Sequence, residues 1–204
     1  MASEGMVYSS DITKGALMLP ESRVLARVLL DEPNLSVEDW EEKVVRTNVL
    51  QKRSPMTSRT RARYLRARLL AGPKALLPLI ADGDPELAAQ AAMALAIKHS
   101  RMLGDYMDHV LRDQRLRQEP ALKPKDWMAF LENAEGYAPE VEGWSESTRQ
   151  KLSQVVHQAL AEAGYLKDTR TKAIQPVSLR PEVRKALEEA GEDQVLRCME
   201  VGTV

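Results

Sequence analysis

Signals that start α-helices recur along the whole chain and constrain its fold more than any other feature. Pro20, Pro85 and Pro181 each stand where an apolar pattern of helical spacing begins. Proline suits the first helical turn because its missing N–H would have no partner there. Ser36 and Asp39 have the spacing of a capping box. Abundant Ala, Leu, Arg and Glu, with only 4% aromatic residues, favour helix over strand. The sequence predicts an all-α helical bundle.

The apolar pattern predicts a first series of helices that ends in a proline-containing segment. We expect helices over 20–31 and 57–71, in "SVEDWEEKVVRTNVL", "PKALLPLIA" and "DPELAAQAAMALAIKHS", and over about 101–117. Segment 118–126, "QEPALKPKD", has two prolines and mixed charge, which indicates a domain boundary. The predicted division is an N-terminal helical domain over 1–118 and a C-terminal domain over 119–204.

The C-terminal part has the element order of a winged helix. A short helix in "DWMAFLENA" and a long helix in "SESTRQKLSQVVHQALAEAG" precede "YLKDTRTKAIQPV", which predicts a small β-hairpin with a basic turn. Ser147 and Gln150 are expected to form the capping box of the long helix, and Gly164 to close it in the αL conformation. The candidate DNA contacts of this module are Ser147, Thr148, Arg149, Lys151, Lys167, Arg170 and Lys172. The alternative is a winged helix that contacts only protein.

The positive charge of the N-terminal part is concentrated in residues 51–70. This stretch has seven basic residues and no acid, although the chain as a whole has 29 Lys and Arg against 30 Asp and Glu. No acid occurs between Glu42 and Asp82. On a helix from Thr57, one face carries Ser58, Ala62, Leu65 and Leu69 and is expected to be buried. Arginines line both borders of that face: Arg59, Arg63 and Arg66 on one side, Arg61 and Arg68 on the other.

A basic helix that follows another helix and a Ser-Pro turn has the parts of a helix-turn-helix. Short polar residues at its N-terminus would lie where free backbone N–H groups favour phosphate. The candidate DNA contacts of this element are Lys52, Arg53, Ser54, Thr57, Arg59, Arg61, Arg63, Arg66 and Arg68. The alternative is that these cations form ion pairs with acids elsewhere in the chain.

No pattern typical of catalysis or metal binding stands out. The histidines (His99, His109 and His157) and the single Cys198 have no ligand spacing. There is no Gly-rich phosphate loop, and "EDWEE" is expected to be an ordinary exposed helix face. We predict a protein that is not an enzyme, with no cofactor, metal or small-molecule substrate.

The apolar runs are too short to span a membrane, which takes about 20 residues. The first residues lack the pattern of a secretory signal, and a single cysteine is typical of a reducing compartment. The sequence therefore predicts a cytoplasmic protein without membrane contact.

Three stretches resemble the BrxA-like family of BREX (bacteriophage exclusion) systems. They are "YSSDITKGALMLPESRVLARVLL", "NVLQKRSPMTSRTRARYLRARL", and "WSESTRQKLSQVVHQALAEAGYL" with "IQPVSLRPEVRKALEEAG". The resemblance implies an all-helical protein whose N-terminal part is similar to the NusB-type antitermination fold. It also implies a role in phage defence, binding of double-stranded DNA and other BREX proteins as partners. It implies no catalytic residues.

Two other functions remain open at this point. The antitermination-like fold is compatible with RNA binding, although the chain offers few aromatic residues for base stacking. The basic helix could instead dock an acidic surface of another defence component, in which case the protein is an interaction scaffold.

Overall fold

The computed structural model describes residues 7–201, which form a mostly helical protein. Eleven α-helices lie in the described part of the chain. Their bounds are α1 Leu19–Asp31, α2 Val37–Arg46, α3 Pro55–Leu69, α4 Leu76–Asp82, α5 Pro85–His99, α6 Arg101–Asp105, α7 Arg112–Leu116, α8 Pro124–Glu135, α9 Glu146–Glu162, α10 Pro181–Glu189 and α11 Asp193–Met199. Short 3₁₀ turns cover Ser10–Lys14 and Pro139–Val141, and a π-helical segment covers Tyr106–Leu111. The predicted all-α fold is confirmed.

Side-chain caps begin α2 and α5 as the sequence indicated, whereas α1 and α10, which have a proline in the first turn, have no side-chain cap. Ser36 Oγ accepts the backbone N–H of Asp39, and Asp84 accepts those of Glu86 and Leu87. The C-terminal end of α9 is also as predicted, since Gly164 follows it with φ +82°. The N-terminal cap of α9 was predicted wrongly. Ser145, not Ser147, accepts the N–H of Thr148 at 3.2 Å, so the helix begins two residues earlier than expected.

The core is built around α5, whose residues 87–97 are buried on every face. A helix that is apolar all round is stable only inside a protein. Helices α3, α4, α6 and α11 surround it. The buried residues form one cluster that extends from Tyr8 to Val201 and includes both parts of the chain. The division at 118/119 falls in the connection between α7 and α8 and stays a prediction.

The predicted helix over 101–117 is a continuous rod that changes its winding in the middle. Helices α6 and α7 are its two ends, and the π-helical segment joins them. A π segment widens the helix locally. Here it presents Tyr106 to Trp127, Phe130 and His157, with ring centroids 5.1–5.7 Å apart. This aromatic cluster joins the rod to α8 and α9.

The predicted hairpin is reduced to a turn closed by one isolated antiparallel bridge, between Leu166 and Ile174. Its second arm turns away because Ala173 also pairs with Ala121 and Ile174 N donates to Pro120 O. No ladder longer than a single bridge occurs within residues 7–201. Asp168 closes the turn by accepting the N–H groups of Arg170 and Thr171. We call residues 167–172 the basic turn.

The segment before α1 ties the two parts of the chain together. The Tyr8 hydroxyl donates to Asp105 at 2.8 Å, and its ring stacks on Phe130. Further along, Leu17 N donates to Glu162 on α9 at 2.8 Å. We call residues 8–17 the N-terminal strap, because they contact α6, α8 and α9. Within the described residues, no helix is both long and apolar enough to cross a bilayer.

Candidate nucleic-acid interface

The apolar face of α3 is buried as predicted. Ser58, Ala62, Leu65 and Leu69 are all at most 2% exposed. The helix begins at Pro55, with Ser54 as the cap that accepts the N–H of Thr57 at 3.4 Å. No acid occurs in its first turn. The N-terminus of α3 therefore combines free backbone N–H groups with a basic helix surface.

Glu41 on α2 orients one border of the basic helix. Arg63 donates to it through two hydrogen bonds, Nε to Oε1 at 2.7 Å and Nη2 to Oε2 at 2.9 Å. Arg59 Nε lies 3.9 Å from the same carboxylate. Glu41 is only 6% exposed, and the hydrogen bond from Arg63 lowers its pKa. The expectation that "EDWEE" is an ordinary exposed face was therefore wrong at Glu41.

Glu21 on α1 has the same role on the other border. Lys52 Nζ lies 2.9 Å from its Oε1, and Arg61 Nη1 lies 3.5 Å from the same atom. Both borders of α3 therefore use one carboxylate for two cations. The ion-pair alternative is correct for these four side chains, but the pairs leave a surplus of two positive charges.

Arg66 and Arg68 are held without carboxylates. The Arg66 guanidinium lies 5.8 Å from the Trp40 ring centroid and donates to Leu35 O at 3.4 Å. Arg68 is 3% exposed and does not lie on the border of the helix, which corrects its placement among the candidate phosphate contacts. It donates to Gly15 O at 2.9 Å, to Ala16 O and to the Tyr64 hydroxyl. These acceptors replace water, so Arg68 fastens the N-terminal strap to α3.

The candidate residues at the start of α9 are partly engaged within the protein. Arg149 Nη2 donates to Glu135 Oε1 at 2.8 Å and to Val141 O at 2.9 Å, and its Nε donates to Trp144 O at 3.3 Å. Arg149 is thus a clamp between α8, the following connection and α9. The hydroxyls of Ser147 and Thr148 each lie 2.9 Å from the Ser145 hydroxyl.

Within the described residues, four cations of α9 and the basic turn form no salt bridge, and neither does Lys125 on α8. Within residues 7–201, no carboxylate lies within 4.0 Å of the charged nitrogens of Lys151, Lys167, Arg170 and Lys172. Lys151, Lys167 and Arg170 are exposed and Lys172 is partly buried. The basic turn lies beside the middle of α9, since Thr169 and Lys172 line a cavity with Gln154 and Gln158. The structure therefore brings the basic turn and α9 together as one cationic surface.

Arg53 is another exposed cation without a carboxylate within 4.0 Å in the described chain, as are Arg46 and Lys74. Arg53 precedes the N-terminus of α3, next to the oriented arginines.

The sequence could not distinguish the free cations from the paired ones. The paired cations Lys52 and Arg63 have their partners Glu21 and Glu41 at distances of 31 and 22 residues along the chain. Only the packing of α1 and α2 on α3 decides the pairing.

His157 and Cys198 are both buried in the core. His157 Nδ1 lies 2.6 Å from Ser153 O, a carbonyl that can only accept, so Nδ1 carries the proton. Its Nε2 then accepts from the Tyr106 hydroxyl at 3.1 Å. Burial lowers the pKa of His157 to about 4, with Lys172 nearby adding to the effect. Cys198 is buried, and burial raises its thiol pKa to about 12. No metal-binding cluster occurs among the described residues.

Comparison with known proteins defines the class of this helical protein. The BrxA family model matches residues 6–191. The chain is 38% identical over 194 residues to the BREX protein BrxA of Paramagnetospirillum magneticum, covering 95% of this chain and 96% of that protein. It is 30% identical over 200 residues to the BREX protein BrxA of Escherichia coli O9:H4, covering 98% and 93%. A crystal structure of an uncharacterized protein from Magnetospirillum magneticum superimposes with a TM-score of 0.86 at 36% identity, covering 97% of this chain and all of that one.

These matches define a protein of BREX phage-defence systems. The chain belongs to the BrxA family, and the resemblance stated from the sequence is confirmed.

Proposed function

We propose that this chain is a non-enzymatic, cytoplasmic accessory protein that binds double-stranded DNA within a BREX system. The observation that carries the proposal is the cationic surface formed by Lys151, Lys167, Arg170 and Lys172, which form no salt bridge within the described chain, although Asp168 in the same turn attracts Arg170 at longer range. Unpaired cations on one surface repel each other and are stable only in water or against an anion. The phosphate backbone of a duplex is an anion of the required length and charge density.

The basic helix α3 supplies a second contact in this proposal. Arg63 keeps 67% of its side chain exposed while Glu41 holds one edge of its guanidinium. A guanidinium has five N–H donors, so the outer edge is free for a phosphate. Glu41 and Glu21 thereby fix the direction of the arginines before DNA arrives, which reduces the entropy that binding costs. The N-terminus of α3 adds free N–H groups to the same surface.

The C-terminal part is proposed to act as a winged helix with a shortened wing. Helix α9 would face the major groove and the basic turn would contact the backbone. We expect little base readout, because Arg149 is committed to Glu135 and two carbonyls. Lysines and Arg170 are mainly phosphate contacts, which position a protein on DNA without reading sequence. We also propose that the N-terminal part has a NusB-like fold, as the family resemblance implies.

Binding to matched duplex DNA, single-stranded DNA and hairpin RNA, followed by fluorescence anisotropy, tests the proposal. The test variant combines Lys151→Gln, Lys167→Gln and Arg170→Gln. The control combines Arg27→Gln, Lys98→Gln and Lys185→Gln, which removes the same charge from cations that each have an acidic partner. We expect tight duplex binding that the test variant weakens and the control retains.

Other outcomes would identify the rival functions. Preference for hairpin RNA over duplex DNA would favour RNA binding. No binding to any nucleic acid at low salt would favour a protein-interaction scaffold, with other BREX components as partners.

A further inference from the structure

An open groove runs between α8, α9 and the basic turn. Its first part is a cavity of about 410 Å³ and its second is a cavity of about 470 Å³. Ser153, Gln154 and Lys172 line both cavities, so the two are continuous. Small-molecule sites commonly have volumes of about 300 to 1,000 Å³. The groove therefore has room for a ligand with two chemically different halves.

The first cavity has one apolar and one polar wall. Helix α8 provides Trp127, Met128 and Leu131, and α9 faces them across the gap. Met128 is 60% exposed, although apolar side chains of this size are usually buried. Acceptors lie among this lining (Glu132, Glu146 and the Gln150 amide), and the Arg149 guanidinium, which also lines it, is held by Glu135 and two carbonyls. An apolar wall beside such acceptors suits a flat ring that carries amino groups.

The second cavity has the opposite character. It is lined by Ser153, Gln154, His157, Gln158, Thr169 and Lys172. No carboxylate is among these residues, and Lys172 is their one permanent cation. Hydroxyls and amides beside a lysine are the groups that typically bind a phosphate.

Lys172 has a fixed position and no counter-ion in the described chain. Its backbone has φ +49°, its N–H donates to Asp168 O at 3.1 Å, and its carbonyl accepts Leu122 N at 3.1 Å. Burial lowers the pKa of its ammonium group. A partly desolvated ammonium without a partner is costly, and an anionic ligand would remove that cost.

We propose that this groove binds a nucleotide, with the base against Trp127 and Met128 and the phosphate at Lys172. The sequence predicted no small-molecule ligand, because the residues of the groove form no contiguous motif. Two sources offer this chemistry: a free mononucleotide, or an unpaired nucleotide of a nucleic-acid strand. The proposal does not depend on duplex binding, since a free nucleotide can be tested without DNA.

Isothermal titration calorimetry with the four ribonucleoside monophosphates, their nucleosides and inorganic phosphate tests the proposal. At least one monophosphate should bind one-to-one, about tenfold more tightly than its nucleoside or phosphate alone, because a charge-assisted contact adds to the base contact. Lys172→Gln should weaken binding of the monophosphate by about tenfold and leave the affinity for the nucleoside unchanged. The control is Lys185→Gln on α10, an exposed lysine outside the groove, which should change neither.

A second arm uses a duplex with one bulged nucleotide and the same duplex fully paired. If no monophosphate binds but the bulged duplex is preferred, and Lys172→Gln abolishes that preference, the ligand is an unpaired nucleotide of a strand. Met128→Asn, at an exposed position, tests the proposed contact between Met128 and the base. It should weaken binding of the nucleotide and of the nucleoside by the same factor. The proposal is overturned if neither arm shows binding that depends on Lys172, or if Lys185→Gln has the same effect as Lys172→Gln.

Discussion

Arg63 binds Glu41 through two parallel hydrogen bonds, although one partner is exposed and the other is buried. This geometry decides what the basic helix can do. The carboxylate holds the guanidinium from the protein side, and the outer edge faces solvent. The contact with Glu41 neutralises part of the positive charge of Arg63. It also orients the outer edge of the guanidinium towards a phosphate.

Glu41→Gln separates the two consequences of this contact. The variant should be less stable by about 1 to 2 kcal/mol, because a buried charged hydrogen bond is lost while the exposed Arg63 can turn to water. It should bind duplex DNA at least as tightly at low salt, since one negative charge is removed from the surface. Urea denaturation and anisotropy measure the two effects.

The exposed neighbour Glu42 provides the matched control for that experiment. Glu42→Gln removes the same charge without a buried partner, and it should change stability by about 0.5 kcal/mol or less. Equal stability of the two variants would show that the Arg63–Glu41 contact does not stabilise the fold.

Arg68→Met should destabilise the protein without affecting DNA binding by the folded form. The variant leaves the carbonyls of Gly15 and Ala16 and the Tyr64 hydroxyl without a donor. One unsatisfied buried group of this kind costs about 1 to 3 kcal/mol. For the three groups together we expect the free energy of unfolding to fall by about 2 to 4 kcal/mol. Thermal denaturation measures the loss. If the duplex affinity fell while the Tm stayed the same, Arg68 would instead be a phosphate contact.

His157 should make the protein less stable in mild acid. Its pKa is about 4 in the folded protein and 6.5 as a free side chain. Since the folded pKa is the lower one, the unfolded chain takes up the proton first, and stability falls as pH drops from about 6.5 towards 4. The loss at about pH 5 should be about 2 kcal/mol relative to pH 7.

His157→Gln identifies the source of that pH dependence. Glutamine does not titrate, so the variant should lose little stability between pH 7 and pH 5. The carboxylates with lowered pKa values, such as Glu41 and Asp108, contribute only at lower pH. An unchanged pH profile in the variant would assign the effect to another group.

The sequence predicted the helices well because their signals are local. A cap and the residues it bonds lie within one turn, as for Ser36 and for Asp84 with Pro85. The start of α9 was harder, since Ser145, Ser147 and Thr148 all lie within four residues and each can cap. The choice of Ser145 depends on how Arg149 holds the preceding connection.

Tertiary contacts account for what the sequence could not predict. The burial of Arg68 follows from the path of the N-terminal strap, which no pattern in residues 51–70 indicates. The hairpin was shortened because residues 120–122 compete for its second arm. The groove beside Lys172 draws its walls from α8, α9 and a turn, so none of its chemistry is contiguous in the chain.

The salt dependence of duplex binding tests the central claim most directly. Each phosphate contact should add about 0.9 to the slope of log affinity against log salt concentration. Removing the charges of Lys151, Lys167 and Arg170 should therefore lower the slope by about two to three, with little change for unrelated sequences. Arg59→Ala, Arg63→Ala and Arg66→Ala together should lower it by a similar amount if α3 also contacts the backbone. A slope that neither triple variant changes would contradict the account, because the cations would then have no phosphate to bind.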